Sequence, residues 1–358
     1  MQYRKIIATL VILLFPNAYG WSQMYHLTDL GTLGGGESHP TAINNLGQVV
    51  GYSDAQTGGP RAFLYSNGVM TNLGSPNGRS TYAYGINDSG SIVGKFLTPG
   101  GGSHPFLYSG GTYTDLWAPD AVGQGLASAV NNAGQIVGNY FIEYPQSTSS
   151  VDFAALQFPW GTAINDSGQV AGYTNPSFSA KRAFLYSGGT MTDLGLLPTG
   201  ASFAYGMNAA GDVVGTSEAD AQGHMHAFRY SNGVMTDLSL YGFGDAFTPA
   251  AFGINNNGQI VGGHFLYENG VTFDLDSVID NLLTNAAGDG WSSISAIAIN
   301  DSGWIVAEAR VPQDQFDGNY THAVLLTPVP EPSLFLMTIA ACCCCKLLRR
   351  KTGSRRIL

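Results

Sequence analysis

Ile43-Asn44-Asn45-Leu46-Gly47-Gln48-Val49-Val50-Gly51 is a turn followed by the start of a strand. An Asn side chain bonds its own backbone two residues on, and Gly47 supplies the left-handed position that a tight turn needs. Val49-Val50 then begin a β-branched return strand. The same pattern is apolar-Asn, two residues, Gly, one residue, two mostly apolar residues, Gly. It restarts at Ile86-Asn87, Val130-Asn131, Ile164-Asn165, Met207-Asn208, Ile254-Asn255 and Ile299-Asn300. The steps between the Asn residues are 43, 44, 34, 43, 47 and 45, a mean of about 43. A fixed period of this size marks a repeat architecture.

A second hairpin lies between most copies. Arg61-Ala62-Phe63-Leu64-Tyr65-Ser66-Asn67-Gly68-Val69-Met70-Thr71 places Asn-Gly between two β-prone runs. Both central residues of a type I′ turn take positive φ, so Asn-Gly or Gly-Gly there is a strong hairpin signal. Its relatives are residues 104–116, 182–194, 226–238 and 264–275. Each unit therefore holds four strands, A to D, and seven units predict an all-β, seven-bladed β-propeller. The structural rival is a linear solenoid, which usually has shorter repeats. The third unit has no Asn-Gly turn within residues 139–163, so a reduced blade is expected there. The last unit ends after Thr321-His322-Ala323-Val324-Leu325-Leu326, a strand C. Tyr25-His26-Leu27-Thr28-Asp29-Leu30-Gly31 matches the strand D sequence Met191-Thr192-Asp193-Leu194-Gly195. The N-terminal strand is thus expected to complete the last blade, close the ring and cover an edge.

The chain has 358 residues, of which 48 are Gly and only 11% are charged, while 18 Tyr and 18 Phe supply a core. The formal net charge of −10 is uneven. Setting aside the two cations near the N-terminus and a net five positive charges in residues 329–358 leaves −17 between them. Such a body repels phosphate backbones, so no nucleic-acid partner is expected. All four Cys form the run Cys342–Cys345, so the body can have no internal disulfide.

Both ends look like addresses. Arg4 and Lys5, apolar Ile6–Phe15 and Ala18-Tyr19-Gly20 predict a signal peptide over 1–20, cleaved before Trp21. The repeat body spans 21–327, a linker with Pro330-Glu331-Pro332 spans 328–333, and 334–358 holds an apolar segment and a basic end. An apolar helix beside a basic cluster is held at a membrane with the cations on the cytoplasmic side. This order resembles the PEP-CTERM sorting signal of Gram-negative bacteria that make extracellular polysaccharide. The resemblance implies an exosortase-type processing enzyme as partner, transient inner-membrane anchoring, then secretion or surface attachment. The Cys run and the early Lys346 depart from such tails. The repeats resemble the HAF repeat, a family of probable extracellular repeats. Its name motif stands at His226-Ala227-Phe228, with variants at Arg61-Ala62-Phe63, His104-Pro105-Phe106, Arg182-Ala183-Phe184, His264-Phe265 and His322-Ala323-Val324. That resemblance covers roughly residues 25–327, implies secretion, and brings no catalytic residues with it.

No nucleophile elbow, zinc-protease helix, phosphate loop or CxxC pair is present, so no catalytic residue, metal or cofactor is assigned. The Asn-Asp-Ser-Gly turns at 87–90, 165–168 and 300–303 lack full calcium-loop spacing and read as hairpin turns. The recurring His104, His226, His264 and His322 have two readings: a ring of imidazoles, or side chains bonded within their own blades. Asp115, Asp193, Asp237 and Asp274 recur in strand D as structural positions, whereas Glu37, Glu143 and Glu218 stand outside the pattern.

Strand alternation puts the B–C and D–A connections on one face. There they are long and varied, at 53–60, 74–81, 140–151, 195–202 and 239–249. Variable loops on a rigid scaffold are where function tends to sit. Tyr84, Tyr205 and Phe252 stand where strand A begins, near the channel mouth, with Tyr82, Phe203 and Trp160 close by. Tyr82, Tyr84, Tyr205 and Phe252 are the candidate sugar-binding rings, with Arg79 and His39 as polar partners. The alternative is that these rings fill space between blades. The expected function is non-catalytic binding in the envelope or matrix, with extracellular polysaccharide as ligand. The alternative is a secreted propeller glycoside hydrolase or polysaccharide lyase.

Overall fold

A computed structural model describes residues 23–117, 123–139, 160–174, 181–197, 200–219, 223–238, 250–279, 291–311 and 320–330. The signal peptide, Glu331, Pro332, the apolar tail with its Cys run, Glu143 and the connections 140–151 and 239–249 lie outside them. No helix among the described residues is long and apolar enough to cross a membrane. Contacts divide the chain into two units, and the unit from Tyr25 to Thr327 is described below.

The fold is an all-β propeller. Each hairpin pair assembles an antiparallel sheet in the order A-B-C-D. The first repeat shows the scheme with strands Gly34–Ile43, Val49–Ala55, Pro60–Ser66 and Val69–Asn72. Where seven blades are expected, six sheets among the described residues have four strands each, and the described residues of the third repeat form a two-stranded sheet, Leu126–Val130 with Ile136–Asn139. The rest of that repeat, residues 140–159, lies outside the described residues.

Strand A of the last repeat is Ser292–Ile299, strand B is Ile305–Arg310 and strand C is Thr321–Pro328. Its fourth strand is Tyr25–Asp29, from the other end of the sequence. The Leu30 N–H donates to the Ala323 carbonyl at 3.0 Å. Tyr25 and Leu27 pack with Leu275, Ile279 and Ile294, whereas Leu30 packs with Val49, Phe63 and Val306.

The core lies between the sheets. Phe63, Phe106, Phe184 and Phe228, the aromatic positions of the repeated strand C, are fully buried there. The repeated Asn is buried too. Asn44 Oδ1 accepts from the Leu46 and Gln48 N–H groups at 3.1 and 2.9 Å, which makes the turn. Its Nδ2 then donates to the Asn87 carbonyl of the next repeat at 3.0 Å. The step recurs from Asn87 to Asn131, Asn165, Asn208, Asn255 and Asn300. Asn300 donates to the Asn44 carbonyl at 3.0 Å, where the series began.

Strand A carries a bulge in six repeats, where one extra residue interrupts the register with strand B: Thr41, Tyr84, Ser128, Thr162, Tyr205 and Ile297. A bulge re-aims its side chain. It also brings backbones close. A Cβ on Gly51 would meet the His39 carbonyl oxygen at 2.0 Å, which explains the Gly that ends the motif.

Candidate functional site

Four of the six bulge residues come together in one depression. Thr41, Tyr84, Ser128 and Ile297 line a depression of about 400 Å³ with His39, Pro40, Tyr52, Leu126 and Glu308. These residues come from the first, second, third and last repeats.

His39 is its most connected polar group. Its Nδ1 lies 2.8 Å from Glu308 Oε1 and its Nε2 lies 3.6 Å from Glu37 Oε2. Its ring stacks on Tyr52 at 4.8 Å, and Tyr52 meets Tyr82 edge-on at 5.0 Å. Lys95 Nζ stands 5.4 Å over the Tyr82 ring and 5.8 Å over the Tyr84 ring. The Glu308 hydrogen bond holds the His39 pKa above its ordinary value, against the opposing effect of burial. Burial pushes the Tyr84 phenol well above its usual range and raises Tyr52 in the same direction. These phenols stay neutral at physiological pH. They offer ring faces and O–H groups, not phenolate bases.

The raised His39 pKa has a pH signature. A group whose pKa is higher in the folded than in the unfolded state stabilises fully below the unfolded value. That contribution is lost as pH rises through the folded value. Melting temperature should therefore fall from just above pH 6.5 upward by more in the wild type than in His39→Gln. Parallel melting curves for the two proteins across this window would remove His39 as the cause.

Tyr205 and Phe252 are not in this depression. They join a second cluster, in which Trp160 stacks on Tyr173 at 5.6 Å and Tyr173 meets Phe203 edge-on at 5.2 Å. Phe203 lies parallel to Tyr205 at 6.4 Å, and Tyr205 contacts Phe252 at 5.4 Å. Burial pushes the Tyr173 phenol up to about 12. Trp160 and Phe252 are 40% and 38% exposed, so this cluster presents faces as well as filling space.

Arg79 is exposed on the 74–81 connection, where its N–H donates to Asn77 Oδ1 at 3.0 Å, and it is not among the residues that line the depression. Tyr52, Tyr173, Lys95, Lys181 and Glu308 were missed. The two tyrosines carry a signal: each directly follows the motif Gly, as Gly51-Tyr52 and Gly172-Tyr173. In the strand register they pair with His39 and Trp160.

Three of the four repeated histidines bond within their blades. His104 meets Asp115 at 2.8 Å, His226 meets Asp237 at 2.9 Å, and His322 meets Asp29 at 3.1 Å. No group of three or more His, Cys, Asp or Glu among the described residues is arranged to hold a metal ion. The acidic residues of the Asn-Asp-Ser-Gly turns join neighbouring turns instead. Asp88 accepts from the Asn45 N–H at 2.9 Å, and Asp166 accepts from the Asn132 N–H at 2.8 Å.

No family model matches the chain. No curated protein matches it either. Among solved structures, the chain is similar to a gluconolactonase from Xanthomonas campestris, at 8% identity and a TM-score of 0.42, over 86% of this chain and 91% of that one. It is also similar to the fucose-recognising lectin of Aleuria aurantia, described as a six-bladed β-propeller. The identity there is 12% and the TM-score 0.35, over 87% of this chain and 98% of that one. A puromycin-hydrolysing peptidase from Mycobacterium tuberculosis gives 12% identity and a TM-score of 0.36, over 88% of this chain and 54% of that one.

Proposed function

We propose that the chain is an exported protein whose propeller body binds extracellular saccharide without turning it over. The observation that carries this reading is the aromatic depression. Tyr52 and Tyr84 line it, with Tyr82 edge-on to Tyr52 beside it, and His39, Glu308 and Thr41 stand there as hydrogen-bonding groups. Sugars present apolar C–H faces edged by hydroxyls, and a few polar groups among aromatic side chains suit them. In this reading the two strands of the third repeat are a seventh, reduced blade, and the Asn series and the N-terminal strand close the ring. Residues 1–20 direct export. Pro330-Glu331-Pro332 and the tail direct sorting by an exosortase-type enzyme in a Gram-negative-type envelope.

A glycan array with a reducing-sugar readout tests the proposal. Binding without new reducing ends is expected. Tyr84→Ala should weaken it about fivefold, the size of roughly 1 kcal/mol of aromatic contact, with melting unchanged. Unchanged binding by a folded Tyr84→Ala protein would remove the depression from the site. Release of reducing ends or unsaturated products would favour the second reading, a hydrolase or lyase. The carboxylates of Glu37 and Glu308 beside His39 are its support.

A further inference from the structure

The aromatic cluster occurs twice. We propose that the two copies are paired subsites for a mostly neutral saccharide chain bearing isolated carboxylates, each carboxylate taken by a lysine, an inference that rests on the saccharide-binding reading above. The copies correspond residue by residue. His39 on Tyr52, with Tyr82 of the following repeat edge-on, is matched by Trp160 on Tyr173, with Phe203 of the following repeat edge-on.

Between residues 21 and 327 the chain has only two lysines, Lys95 and Lys181. Both stand over these rings. Lys95 Nζ is 5.4 Å from the centre of Tyr82, and Lys181 Nζ is 5.1 Å from that of Phe203 and 5.6 Å from that of Tyr173. Yet they arrive from different repeat positions. Lys95 lies on strand B of the second repeat, opposite Tyr82. Lys181 lies just before strand C of the fourth, Arg182–Ser187. A packing solution copied with the repeat would reuse one position. Two strands delivering an ammonium to the same place indicate a requirement of that place.

Among the described residues, neither ammonium forms an ion pair. Burial works against the charge of Lys95. A ring face compensates an ammonium only in part, so a ligand carboxylate is the missing counter-charge. The net −17 of the surrounding body, with Glu37 and Glu308 beside the first copy, repels a uniformly charged polyanion. Sparse carboxylates on a neutral chain satisfy both conditions.

The test uses the exported protein on an array of gellan and xanthan oligosaccharides, each beside its carboxyl-reduced counterpart. At least one uronate-bearing probe should bind about tenfold more tightly than its reduced form, the effect of one charge-assisted hydrogen bond. Lys95→Met and Lys181→Met should each erode that preference with melting unchanged, and Lys95→Arg should retain it. Lys181 is exposed, so its variant folds even where Lys95→Met does not. Equal binding of native and reduced probes, or a preference that survives in both Met variants, overturns the lysine assignment and leaves saccharide binding standing. Binding to no glycan overturns both.

Discussion

Deleting residues 21–31 is expected to unfold the propeller body at temperatures where the intact body is stable. Tyr25, Leu27 and Leu30 are buried, at 0%, 5% and 5% exposure. Burying such a side chain contributes roughly 2 kcal/mol, so their loss removes about 6 kcal/mol. A typical domain has a net stability of about 5–15 kcal/mol. The deletion also takes Asp29 from His322, which is 9% exposed in its side chain, and uncovers the edge of Thr321–Pro328. A bare strand edge is a template for aggregation. Thermal melting and size-exclusion chromatography of the two forms decide the matter. A truncated body that melts within a few degrees of the intact one would show that the last sheet does not need its N-terminal strand.

Asn44→Ala is expected to destabilise the body by about 2–4 kcal/mol, the cost of leaving several buried polar groups without partners. Asn44 is only 5% exposed. Its loss strands the Leu46 and Gln48 N–H groups and the Asn87 carbonyl. Asn44→Asp separates the two functions of the side chain. It keeps an acceptor for the turn but sets a carboxylate against the Asn87 carbonyl and Gln48 Oε1. The carboxyl pKa of that variant should lie above its unfolded value, so its deficit should be largest at neutral pH and shrink as pH falls toward that pKa. Asn45→Ala is the control. Asn45 is exposed and bonds Asp301 at 3.1 Å, and its removal should cost within about 1 kcal/mol. Urea denaturation of the three variants measures all of this. Equal midpoints for Asn44→Ala and Asn45→Ala would mean that neither the turn bonds nor the inter-repeat bond of Asn44 stabilises the body.

The repeat, the two hairpins and the N-terminal strand D were legible because each depends on local chemistry. Asn and Gly are needed where the backbone turns, and β-branched runs follow. The period of the Asn residues could be counted without any coordinates. The side chain's second bond could not, since Nδ2 reaches a residue 43 positions away. The histidines show the same division. His104 and Asp115 were each visible as repeat positions, yet only the strand pairing makes them partners.

For the candidate site, counting strands put Tyr84, Tyr205 and Phe252 at equivalent positions of their repeats. Their separation into two clusters could not. Arg79 stands on the same face in sequence but is not among the residues lining the depression.

Local sequence was enough to specify where this chain makes its repeated turns and at what period. Turn geometry and strand propensity act over a few residues, so they leave a countable trace. The partners across sheets were decided by tertiary structure. The bulges aim Thr41, Tyr84, Ser128 and Ile297 into one depression, and the strand register puts Tyr52 against His39. The packing of the first repeat against the last brings Glu308 to a histidine 269 positions away. Those contacts depend on register and on the angle between neighbouring sheets, which no short stretch of residues encodes.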